Sequence, residues 1–94
     1  MFYLKRNEKV VAICDEDLIG KKFEDEDRCI EVSERFYKGE KVSEEEAVKF
    51  LKTADNINLV GNRIVKLAMD LGIIKSNDVI EIQGVKHAQI YNLA

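Results

Sequence analysis

No proline interrupts this sequence, histidine occurs once, and cysteine occurs twice in 94 residues. There is also no repeat, no low-complexity tract and no composition break that would mark a linker, so a single domain over residues 1–94 is expected. The longest apolar run, residues 10–14, has five residues, far short of the ~20 that a membrane-spanning helix requires. No charged leader followed by a long apolar stretch opens the chain, which argues against secretion and for the cytoplasm. Cys14 and Cys29 are too far apart for a redox pair or a zinc knuckle. Both are expected to be buried structural thiols. A disulfide is a weaker reading, and a zinc site shared with His87 would lack a fourth ligand.

What the chain does contain is a foldable balance, 46% hydrophobic and 35% charged. Its net charge of −3 is unevenly placed. Residues 15–27 hold seven acids and two lysines, a local −5, whereas the remainder carries eleven acids and thirteen bases, a sum of +2. Strong nonspecific binding to nucleic acid, which needs many basic contacts, is therefore not expected. The acidic run 24–27 lacks the alternating ligands and glycine of a calcium loop and reads as a solvated, mobile loop. No metal or cofactor is expected, since residues 56–63 match neither a phosphate-binding loop nor a dinucleotide fingerprint.

The apolar, partly β-branched runs 2–6 and 9–15 around Asn7-Glu8 predict a hairpin, and the second, apolar on both faces, predicts a central strand. Asp15 through Gly20 reads as a turn capped by Asp15. Residues 28–33 alternate and predict a third strand, followed by a turn at Phe36 to Gly39. Ser43 and Glu46 make a capping box ahead of the apolar stripe Ala47, Val48, Phe50, Leu51 and Ala54. A second helix is predicted from Asp55 or Asn56 to Gly72, burying Val60, Ile64, Leu67, Ala68 and Leu71. Val79–Ile82 and Val85–Tyr91 flank Gln83-Gly84 as a hairpin that sets Ile82 opposite Val85, Glu81 opposite Lys86 and Ile80 opposite His87. The expected fold is α+β, with a mostly antiparallel sheet of about five strands covered on one face by two helices, in the order βββααββ.

Three groups of residues could carry function. His87, with Gln89 on the same strand face, is either a hydrogen-bonded strand histidine or a recognition and proton-transfer group. Gly61, Asn62 and Arg63 either allow close helix packing or form an open helix N-terminus for an anion. Arg35 and Tyr37 flank Phe36 beside a turn; Phe36 is expected under the turn and Tyr37 on the surface, where it could stack on a base or anchor a partner.

The stretches Val-Val-Ala-Ile-Cys-Asp-Glu-Asp-Leu-Ile-Gly-Lys (10–21), Val-Ser-Glu-Arg-Phe-Tyr (32–37), Ala-Asp-Asn-Ile-Asn-Leu-Val-Gly (54–61), Leu-Ala-Met-Asp-Leu-Gly-Ile-Ile (67–74) and Gly-Val-Lys-His-Ala-Gln (84–89) run in order through nearly the whole chain. In these the sequence resembles an uncharacterised archaeal family, domain-of-unknown-function family 424. That family ends in a Gly-Val-Pro-His-Ala-Gln-like signature, and Lys86 stands here in place of the proline. The resemblance implies an archaeal cytoplasmic protein and brings no activity with it.

The leading expectation is a noncatalytic binding module, for RNA or a ribonucleoprotein, using Arg35, Tyr37, Asn62, Arg63, His87 and Gln89. The alternatives are a protein-interaction adaptor, homodimeric through Phe36/Tyr37 or the edge of the terminal hairpin, and a small enzyme centred on His87, which would need a cleft and an orienting partner.

Overall fold

The computed structural model describes residues 1–91. Residues Phe2–Arg6 (β1) and Val11–Asp15 (β2) form the first hairpin, with Arg6 opposite Val11. Lys22–Glu24 (β3) and Cys29–Glu31 (β4) make a second, separate hairpin. After the short helix Glu34–Tyr37 (α1) come Glu40–Val42 (β5), Glu44–Thr53 (α2), Asn56–Val60 (β6) and Asn62–Asp70 (α3). Val79–Ile82 (β7) and Val85–Tyr91 (β8) close the chain. The main sheet runs β5-β1-β2-β6-β8-β7, and all its neighbours are antiparallel except β2 and β6. The fold is thus α+β with a mostly antiparallel sheet, having six strands rather than five.

Two of the six, β5 and β6, are not among the expected strands, and the expected third strand, 28–33, lies outside this sheet as β4 of the separate hairpin; β6 forms where sequence periodicity points to the start of a helix. Ile57 and Leu59 are buried between the partly exposed Asn56 and Asn58, which is a period of two. Helix can begin only after Gly61, whose φ of 127° lies outside the helical region. Val60 accordingly belongs to the sheet, and Leu71, beyond the end of α3, is 36% exposed. β5 is a further strand that its three residues are too short to signal, and the Phe36–Gly39 turn begins as a helical turn capped by Ser33. The capping box at Ser43 and Glu46 and the register of the terminal hairpin stand as read.

α2 and α3 lie on one face of the sheet. Phe2, Leu4, Ile13, Ile57, Leu59, Ala88 and Ile90 pack there against Ala47, Leu51, Ile64, Val65 and Ala68. Each large aliphatic side chain so buried contributes roughly 1.5–3 kcal/mol. The opposite face is only partly covered: the β3–β4 hairpin and α1 bring Ile30, Val32 and Tyr37 onto Ala12, Cys14, Val60 and Ile82. Tyr37 is therefore core, 4% exposed, which corrects its expected surface position; Phe36 packs edge-to-face on it at 5.1 Å. Residues 24–27 are not a free loop. The Asp25 carboxylate accepts hydrogen bonds from the backbone N–H groups of Asp27 and Arg28 and pairs with the Arg28 guanidinium, closing the β3–β4 turn. Both cysteines are free thiols; Cys14 is buried as expected and Cys29 is exposed, because only Ile30 of β4 faces inward. No helix among the described residues is long and apolar enough to cross a membrane.

Candidate functional site

Alternation along β8 decides which side chains reach the uncovered end of the sheet. Ala88 and Ile90 point into the helix-side core, so His87, Gln89 and Tyr91 point to the other face. Cross-strand pairing extends this into a patch: Val60 opposes His87, Asn58 opposes Gln89 and Asn56 opposes Tyr91 on β6, while Ile80 opposes His87 on β7. Ile80 and Tyr91 are 37% and 61% exposed. The Tyr91 hydroxyl donates to Gln89 Oε1 at 2.8 Å.

His87 separates two hollows on this face. One, of about 300 Å³, lies between the sheet and the β3–β4 hairpin and is lined by Arg28, Cys29, Ile30, Glu31, Tyr37, Ile80, Ile82 and His87. The other, of about 370 Å³, is lined by Asp78, Ile80, His87, Ala88, Gln89 and Tyr91. His87 Nδ1 lies 2.8 Å from the Leu59 carbonyl oxygen. Since a carbonyl only accepts, Nδ1 carries the proton, and in the neutral ring Nε2 presents a lone pair. Neither Nε2 nor the Tyr37 hydroxyl has a hydrogen-bond partner among the described residues. No buried side-chain nitrogen or oxygen there is left unpaired, so both atoms reach accessible space. Burial, reinforced by the nearby Cys14, raises the Tyr37 phenol well above its ordinary range, so it stays protonated and able to donate.

The remaining sequence candidates lie elsewhere. Asn62 ties the start of α3 to the terminal hairpin: its Nδ2 donates to the Gly84 carbonyl and its Oδ1 accepts from the Lys86 N–H, each at 2.9 Å. A proline at position 86 could not make the second bond. Arg63 lies over the Phe2 ring at 5.1 Å, in a hollow with Glu44, Lys66 and Asp70 on the helix side. Arg35 is exposed on α1, where its carbonyl accepts from Lys5 Nζ. His87, Gln89 and Tyr37 therefore share one face; Arg35 lies on the same side of the sheet but over β1, lining neither hollow, and Asn62 and Arg63 do not join them.

Of the two readings of Gly61, neither close packing of the helices nor an open helix N-terminus describes it: a Cβ there would meet the Asp15 carboxylate, which fills the helix end. Asp15, 4% exposed, accepts from the backbone N–H groups of Arg63 at 3.0 Å and Ile64 at 2.9 Å. It makes no cap to its own local turn. Burial raises the Asp15 carboxyl above its usual value, opposed by those two N–H bonds and by the Arg63 charge. Sequence reasoning also missed Asn58, whose signal was the Asn-Ile-Asn-Leu alternation, and Arg28 and Cys29, which enter the cleft only through the β3–β4 fold. Cys29 and His87 share the cleft, but no cluster of three or more His, Cys, Asp or Glu side chains able to hold a metal exists among the described residues.

The profile of the family described as Protein of unknown function (DUF424) matches residues 3–93, and the chain belongs to that family. Its fold is similar to the crystal structure of an uncharacterized conserved protein from the archaeon Methanopyrus kandleri, with 28% sequence identity and a TM-score of 0.73 over 99% of this chain and 90% of that one. No curated protein matches the chain.

Proposed function

We propose that the protein is a small noncatalytic binding module of the cytoplasm whose sheet cleft takes an unpaired base of single-stranded RNA, free or within a ribonucleoprotein. The observation that carries this reading is the pair of unpartnered polar groups, Tyr37 hydroxyl and His87 Nε2, on the wall of a cleft that also holds Ile80 and Ile82. Single-stranded RNA is recognised through splayed bases that lie on apolar or aromatic side chains and hydrogen-bond along their edges. Here the hydroxyl offers a donor and the imidazole an acceptor, matching a base edge that has both. Tyr91, exposed on the same face, supplies a stacking surface for a neighbouring base. Arg28 in the cleft lining would offer a cation to a phosphate by exchanging its Asp25 partner. A cytoplasmic setting accords with two unpaired thiols, one of them exposed.

Catalysis at His87 has less support. Its Nδ1 is held by a main-chain carbonyl rather than a carboxylate, so the ring is oriented but gains no anion to stabilise an imidazolium. The test is titration of the isotope-labelled protein with short uridine, adenosine, cytidine and guanosine oligonucleotides. Amide shifts confined to 28–31, Tyr37, 79–82 and 85–91 are expected. Unchanged spectra with all four, or shifts centred on Arg35 or Arg63 instead, would sink the reading.

A further inference from the structure

β4 borders the His87 cleft with an unpaired sheet edge. The β3–β4 hairpin stands apart from the main sheet, and every hairpin residue that lines the cleft, Arg28 to Glu31, belongs to the β4 side and none to β3. The free edge of β4 is therefore the edge that fronts the cleft.

Hydrogen bonding within the hairpin decides which main-chain groups face that way. Asp25 N–H donates to the Arg28 carbonyl, and Val32 N–H donates to the Lys21 carbonyl, each at 2.9 Å. Ile30 opposes Phe23 midway between them. Hydrogen-bonded positions alternate along an antiparallel ladder, so Ile30 bonds toward β3 while Cys29 and Glu31 turn their N–H and C=O outward. Those outward groups have no partner among the described residues. Each of the two residues offers the cleft a donor and an acceptor side by side.

The rest of the cleft offers a second such pair, the Tyr37 hydroxyl on α1 and His87 Nε2 on β8, with Tyr37 only 4% exposed. A peptide strand laid along β4 would use the edge and leave this second pair unmatched. A flat ring with heteroatoms on two sides meets both, and Ile80 and Ile82 give it an apolar surface.

Among the bases of RNA, adenine alone sets a donor beside an acceptor on two edges. Its Watson–Crick edge carries N1 and one amino hydrogen, and its major-groove edge carries N7 and the other. On that second edge guanine has two acceptors, a uracil has one acceptor and cytosine has one donor. We propose that the base taken by this cleft is adenine, held on one edge by Tyr37 and His87 and on the other by the main chain of Cys29 or Glu31. This specificity rests on the base-binding reading and extends it.

The test compares short single strands of adenosine, guanosine, uridine and cytidine on the full chain by fluorescence anisotropy. Adenosine is expected to bind roughly fivefold to a hundredfold more tightly than the others, the discrimination of one matched donor–acceptor pair. A 7-deazaadenosine strand, which lacks N7, should bind roughly twofold to tenfold more weakly than adenosine. A dimethylated amino group, which removes both donors, should abolish the preference. Adenosine monophosphate separates a free nucleotide from a strand: equal affinity for both would keep adenine as the ligand and remove the strand.

Amide exchange with water checks the main-chain half directly. In the free protein the Cys29 and Glu31 amides should exchange faster than that of Ile30, and saturating adenosine strand should slow one of them. Binding at the cleft without preference for adenosine, indifference to the loss of N7, or Cys29 and Glu31 amides as protected as Ile30 before any ligand is added would each overturn the adenine assignment and leave the base-binding reading standing. Failure of all four strands to bind would remove both.

Discussion

Gly61 lies against the carboxylate of Asp15, so closely that a Cβ on residue 61 would overlap it. Asp15 ends β2 and Gly61 follows directly on β6, the parallel neighbour of β2, and the contact fixes where α3 begins. Asp15 supplies the cap that Gly61 has no side chain to supply, and Gly61 supplies the room and the φ of 127° that let the carboxylate reach two N–H groups. An anion-binding helix end has thereby become an internal joint.

Substituting either partner should loosen that joint. Gly61→Ala forces a side chain into both an unfavourable φ and an occupied space, and is expected to cost about 2 kcal/mol or more. Asp15→Ala removes the cap and strands the buried Ile64 N–H, at about 2 kcal/mol. Urea unfolding should show lower midpoints with unchanged slope for both. A loss under about 0.5 kcal/mol for either, the range of an ordinary surface substitution, would contradict the coupling.

The same carboxylate makes stability depend on pH in a definite direction. Burial raises the folded Asp15 carboxyl above the 3.8 of a free one, so the folded protein holds this proton more firmly than the unfolded chain. Its contribution is fully present below 3.8 and is lost as pH rises through the folded value. Asp15→Asn does not titrate. The stability of the parent relative to Asp15→Asn should therefore fall as pH rises above 3.8. A relative stability that instead rises would mean that the two N–H bonds and Arg63 outweigh burial.

How much of this was legible beforehand follows from the range of each interaction. The terminal hairpin, the Ser43 cap and the helical stripes of α2 and α3 are set by neighbours a few residues away, and the sequence shows them. The Asp15 cap is made 48 residues along the chain, and no local pattern records it. β6 was hidden because Val60, Ile64 and Leu67 keep helical spacing across Gly61, while the strand alternation of 56–59 covers only four residues. Tyr37 was misplaced because its burial depends on the sheet beneath it. His87 and Gln89 were found by hairpin register alone, whereas Arg28 reaches the cleft only through a hairpin that an acidic run disguised.

Reactivity should separate the two thiols. Burial, with the Asp15 charge adding to it, pushes the Cys14 thiol up to about 12, whereas Cys29 is exposed. Ellman's reagent at about pH 8, near the ordinary thiol value, should titrate one thiol in the folded protein and both in urea, and Cys29→Ser should abolish the native reaction. Rapid reaction of both in the folded chain would place Cys14 outside the core. Because the folded Cys14 titrates above the 9.0 of a free thiol, its contribution to stability should also decline as pH rises from there.

The cleft makes the most discriminating prediction, because the base-binding reading rests on few charges. Arg28 is already paired with Asp25 and shares the cleft with the acidic Glu31, so affinity for a short single strand should change little with salt, with a slope no steeper than about −0.7 for one phosphate contact. Tyr37→Phe and His87→Ala each remove one edge hydrogen bond worth about 0.5–1.5 kcal/mol, which is roughly a twofold to tenfold loss of affinity. Tyr37→Phe keeps the ring that packs on Phe36 and should preserve the fold, so its loss would be specific to the hydroxyl. Arg35→Ala and Arg63→Ala, outside both hollows, should leave affinity within about twofold, and Arg63→Ala should instead lower stability through the lost Phe2 contact. Fluorescence anisotropy with a labelled oligonucleotide measures all four. A steep salt slope together with losses at Arg35 and Arg63 would describe a diffuse electrostatic surface, and would move the site off the His87 strand.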